Sequence, residues 1–136
     1  MNTEMLSDWE NIIGQEKVKL ISSRFFDNKL NSEFPYLEKS NYAYKKLSIL
    51  SELENTGNIL IEFEKNGFLT HDEVLKMIEI TAMELISKNI PTAFFKNVSL
   101  MLGDKEDEGE DEWLDRELTH IGRILDSLKP KKKNYE

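Results

Sequence analysis

Cysteine is absent from this chain of 136 residues, which excludes a disulfide scaffold, a thiolate nucleophile, a thiolate zinc site and a cysteine-held iron–sulfur cluster together. No apolar run approaches the roughly 20 residues that a membrane-spanning helix requires. The opening MNTEMLSDWENIIGQ carries acids and has neither a basic flank nor an apolar stretch. It does not read as a secretory signal, and a cytoplasmic location is the expectation. Histidine is scarce as well, at two residues, which leaves few imidazoles for metal ligation or proton transfer. Neither GxGxxG nor GxxxxGK[ST] occurs, and no serine stands in a nucleophile elbow, so no phosphate cradle or acyl-transfer site is signalled. The expected protein is not an enzyme and carries no cofactor.

What is present suits one helical core. Hydrophobic residues make up 39% of the chain and prolines number only three, so burial can offset the ordering entropy of most of its length. We expect a single domain over residues 1–129 and a flexible basic tail over 130–136. Charge is distributed unevenly. Between Asp104 and Glu117 nine acids face only Lys105 and Arg116, a local net of −7 that holds nearly all of the overall −8. Four lysines and one glutamate then give the last eight residues a net of +3. A basic patch that small, next to so acidic a block, disfavours nucleic-acid binding. An acidic helix face is likewise repelled by anionic lipid.

Hydrophobic spacing predicts helices along most of the chain. Residues 6–30 read as one long helix or two shorter ones divided at Gly14, with Met5, Trp9, Ile12, Ile13, Val18, Ile21 and Phe25 at helical intervals. Pro35 places 31–36 in a loop. Ser40 can cap a helix through Tyr44, Leu47, Leu50 and Leu53, which Thr56, Gly57 and Asn58 are expected to interrupt; residues 58–67 then suit a short helix or a short strand, and helix is preferred because a lone strand would lack a partner for its backbone groups. The strongest local signal is LTHDEVLKMIEITAMELISKN. Thr70 and Glu73 form a capping box, Leu69 and Val74 a hydrophobic staple, and this helix should be the most buried. Pro91 should start a short helix through Phe94, Phe95, Val98, Met101 and Leu102, closed by Gly103. In the final helix Leu114, Leu118, Ile121, Leu125 and Leu128 form an amphipathic stripe, with acids at its start and Lys129 at its end matching the helix dipole. The fold class is therefore all-α, a small irregular bundle of five or six helices with an acidic loop before the C-terminal one.

Two segments match ligand spacings. Glu62, Glu64, Asn66, Thr70 and Glu73, with Gly67 sixth, the Phe68 carbonyl seventh and Leu69 eighth, make residues 62–73 resemble a degenerate calcium-binding loop of the EF-hand family. The resemblance covers 12 residues and has a glutamate where the family has aspartate. It implies a divalent-cation-responsive helical module. The alternative is a turn closed by Gly67 between two helices, with Glu73 employed in capping. Residues 104–115 repeat the spacing less well, with Asp111 where the family has a hydrophobe and Asp115 where it has glutamate; so dense an acidic run also attracts divalent cations nonspecifically. Glu117 and His120 have the spacing of one arm of a dinuclear carboxylate site, but the matching arm is missing because Phe68 precedes His71 by three residues.

The acidic block supports the leading functional expectation: a protein-binding module that recognises a basic protein surface, such as an inhibitor or immunity-type protein masking a nuclease. Its expected contact residues are Asp104, Glu106, Asp107, Glu108, Glu110, Asp111, Glu112 and Trp113. Trp9, Tyr36, Tyr42, Tyr44 and Trp113 suit either interface anchoring or core packing.

Overall fold

The structure, a computed structural model, describes residues 3–27, 42–90 and 100–128. Five α-helices and no strand occur among the described residues: α1 (Thr3–Ile13), α2 (Gln15–Asp27), α3 (Tyr42–Lys65), α4 (His71–Asn89) and α5 (Glu110–Ser127). They form an irregular all-α bundle, in which α3 packs against α4 and α5 while α1 and α2 lie across the other end, α1 on α4 and α2 on α3. The expected 31–36 loop, the Ser40 cap, the Tyr36 ring and the 130–136 tail fall outside the described residues. So does most of the helix expected after Pro91; its described end, Met101 and Leu102, is not helical.

The division at Gly14 is real. Gly14 has φ +91°, a left-handed conformation that costs glycine least. Its N–H donates to the Glu10 carbonyl at 2.9 Å and its own carbonyl accepts from Val18 at 3.2 Å, so one residue ends α1 and starts α2.

The interruption expected at 56–58 does not occur. Helix α3 runs unbroken for 24 residues, because Thr56 and Gly57 are buried and tertiary packing outweighs their weak helix propensity. A Cβ added at Gly57 would lie 2.5 Å from Leu114 Cδ1. The glycine is what lets α5 press against α3 at this point. With buried residues facing two neighbours, α3 has no single apolar stripe, and this concealed its continuity.

Helix α4 behaves as its sequence indicates. Glu73 N–H donates to Thr70 Oγ1 at 3.2 Å and Thr70 N–H donates to Glu73 Oε1 at 2.8 Å, completing the capping box. Leu69 and Val74 are both buried, and Val74, Met77, Ile78, Ala82 and Ile86 are fully enclosed. Two apolar clusters result. One gathers Trp9, Ile21, Leu60, Val74, Met77, Ile78, Trp113 and Leu114. The other gathers Ile49, Leu53, Ala82, Ile86, Ile121 and Leu125. The stripe on α5 supplies both: Leu114, Ile121, Leu125 and Leu128 are buried, and Leu118 packs partly buried against each cluster.

Candidate functional site: the acidic strap

Residues 100–109 precede α5 without regular secondary structure, and α5 side chains fasten them to the bundle. Trp113 Nε1 donates to the Gly103 carbonyl at 2.7 Å. The Gly103 N–H donates to Glu117 Oε1 at 3.1 Å. Both polar groups of one backbone residue are thereby bonded by side chains one turn apart on α5. Arg116 closes over the same point, donating to the Asp104 carbonyl at 2.9 Å and to Glu108 at 2.6 and 2.9 Å. A Cβ at Gly103 would stand 3.1 Å from Arg116 Nη1, a tight approach that this partly exposed side chain would have to relax by a few tenths of an ångström.

Lys105 ties the strap to the corner between α3 and α4. Its ammonium lies 2.8 Å from Glu110 and 3.4 Å from Glu64. The other Glu64 oxygen faces His71 Nδ1 at 3.1 Å, and the His71 ring meets Trp113 edge-on at 4.6 Å. These pairs shape the local titrations. The Arg116 hydrogen bond holds the Glu108 carboxyl below the usual glutamate range, and Lys105 does the same for Glu110. Glu117 goes the other way. Its side chain is 1% exposed, and burial pushes its carboxyl up despite the nearby Arg116.

The expected contact residues separate into three groups. Asp104, Glu106, Asp107 and Glu112 are exposed, with no cation within ion-pair distance among the described residues; Asp115 joins them on the same criteria. Glu108 and Glu110 are half-buried and paired with Arg116 and Lys105, and Asp111 is exposed at 3.9 Å from Lys65. Trp113 corrects the expectation of a partner contact. It is fully buried, because the start of α5 turns its indole inward over His71 and the strap backbone; it is core rather than interface.

The calcium-loop spacing is not brought together as a ligand set. Glu62 and Glu64 lie within α3, two residues apart and so on different sides of it; Glu62 pairs with Arg24 at 3.2 Å and Glu64 with His71 and Lys105. Thr70 and Glu73 cap α4, and the Phe68 carbonyl accepts from Lys17 Nζ at 2.9 Å. In the second run, Glu108 holds Arg116 while Glu112 and Asp115 belong to α5. Among the described residues no group of three or more histidine or acidic side chains is arranged to hold a metal ion. Likewise no helix among them is long and apolar enough to cross a membrane.

Glu117, Lys105 and Arg116 were not recognised as structural residues. For Glu117 a signal existed: it lies three residues after Leu114 and four before Ile121, within the buried stripe, where an acid must find donors. Nothing local marked Arg116 or Lys105, whose partners on other segments lie between 5 and 41 residues away, although Arg116 also pairs with its neighbour Glu117. The fold and strap define a helical bundle presenting a fastened acidic segment. No family model, curated protein or solved structure matches the chain.

Proposed function

We propose that the protein is a binding module, acting in the cytoplasm, whose acidic strap and first α5 turns dock a basic protein surface. The observation that carries this reading is the sorting of the acids. Glu108, Glu110 and Glu117 are turned inward and employed in fixing the strap, whereas Asp104, Glu106, Asp107, Glu112 and Asp115 stand exposed on the fixed framework without ion pairs among the described residues. A fixed set of exposed carboxylates steers an oppositely charged surface and holds it in register. A shallow notch of about 350 Å³ lined by Glu106, Asp107, Glu108 and Arg116 suits an arginine or lysine side chain of the partner. An inhibitor or immunity-type protein that masks a nuclease's phosphate-binding cleft is the particular role this favours, because such a cleft already attracts dense negative charge.

The test is association kinetics with a purified basic partner, nucleases first, at low and physiological salt. Reversing Glu106, Asp107 and Glu112 to lysine should slow association at low salt, with an effect that shrinks as salt rises, and leave dissociation less affected. These three side chains form no ion pair among the described residues, so the fold should survive, with the melting temperature lowered only by the loss of the Glu112 charge from the first turn of α5, worth about 0.3–1 kcal/mol. Unchanged association in a folded triple variant would reduce the acidic face to a solubilising surface.

A further inference from the structure

We infer that Glu117 is a proton-linked latch for the acidic strap, its neutral form holding residues 101–109 closed against α5 more firmly than its ionised form. As a means of regulating the docking face, this rests on the function proposed above; as a property of the fold, it stands by itself.

The geometry sets the direction. With the strap closed, the Glu117 carboxyl is 1% exposed and has two neighbours that favour its charge: the Gly103 N–H at 3.1 Å and the Arg116 guanidinium at 2.9 Å. Arg116 is a poor counter-ion here. Its side chain is 44% exposed, so water screens its attraction, and it is shared with Glu108 and the Asp104 carbonyl. Of the other charged groups that act on Glu117, Glu108 from the strap opposes its ionisation, and His120 from its own helix favours it when protonated. Burial outweighs these attractions and raises the carboxyl's titration.

Opening the strap would expose Glu117 to water and return it to an ordinary carboxyl. The closed form therefore binds the proton more tightly than the open form, and by linkage the proton favours closure. A neutral carboxyl keeps an oxygen that accepts from Gly103, while Arg116 retains Glu108 and Asp104. Closure gains from Glu117 at low pH, and the gain is lost as pH rises from the ordinary glutamate value through the raised one.

Hydrogen exchange of the Gly103 amide, expressed as protection relative to an unstructured peptide, tests this without any partner. In the wild type, protection should fall as pH rises through that window, by up to about tenfold for each pH unit separating the closed and open titrations. The Ile78 amide in the same samples separates strap opening from global unfolding. Glu117→Gln keeps an acceptor and removes the titration, so its protection should match the wild type's acid value at every pH. Should that variant not fold, the wild-type Gly103 amide shift still reads the carboxyl titration, with a midpoint expected above the ordinary glutamate value. Protection that is independent of pH, that grows with pH, or that Glu117→Gln lowers throughout would overturn the latch, as would a midpoint at or below the ordinary value. Because no partner takes part, a failed docking experiment and a failed latch are distinct results.

Discussion

The corner between α3 and α4 and the strap before α5 are both short, glycine-bearing connections, yet they are held by different means. At the corner the chain bonds to itself. Gly67, with φ +74°, donates to the Glu64 carbonyl at 3.0 Å, Phe68 donates to Phe63 at 2.9 Å, and the capping box closes the start of α4. The Phe63 and Phe68 rings pack at 5.3 Å beneath it. In the strap, by contrast, Gly103 is bonded through both backbone groups by side chains 10 and 14 residues away. One connection is specified by neighbours in sequence and the other by a helix that follows it.

Trp113 is where the two regions meet, and replacing it should have the largest effect. Trp113→Ala is expected to cost about 3–5 kcal/mol in urea unfolding, since it empties a fully buried indole site beside His71 and releases the Gly103 carbonyl. A loss below about 1 kcal/mol would mean that the corner and strap are not joined through the core at all. Trp113→Phe sharpens the comparison by keeping a ring and removing the N–H. It should cost about 1–3 kcal/mol through the unpaired Gly103 carbonyl, with faster exchange of strap amides and unchanged exchange at the corner.

Thr70→Ala and Glu73→Ala should each cost about 1 kcal/mol. Their combined loss should fall short of the sum, because each contributes one bond to the same box. These variants should leave the Gly103 amide as it was. Smallest of all is Lys105→Gln, which removes the ion pairs across the two regions; its effect on melting temperature should stay below that of either capping variant and fade at high salt.

The same contrast explains what was legible in advance. The capping box, the staple and the α5 stripe are patterns within a few residues, and each appears in the structure where the spacing placed it. The all-α class and four of the five described helices follow from such patterns, whereas the continuity of α3 does not. Gly57 misled because its reason for being glycine is Leu114, 57 residues later, and a local reading sees only a poor helix former. Trp113 was ambiguous for a related reason: its indole sits beside the stripe, and only the strap backbone folding back beneath α5 gives its N–H a buried acceptor. The acidic block was plain as a total charge, but its division into carboxylates that fasten and carboxylates that stay exposed depends on Lys105 and Arg116 finding partners across the fold.

Helix α3 is about 36 Å long at 1.5 Å per residue, and it contributes Leu60 and Ile61 to one apolar cluster and Ile49 and Leu53 to the other. A hinge at Gly57 would have allowed the two ends of the molecule to melt separately. As a continuous beam wedged about two thirds of the way along by Leu114, α3 transmits disruption at either end to the whole, so the described bundle is expected to unfold as one cooperative unit. The strap is fastened chiefly by α5 side chains and meets that beam through the Lys105–Glu64 ion pair, so under the latch proposed above it is the part that opens first.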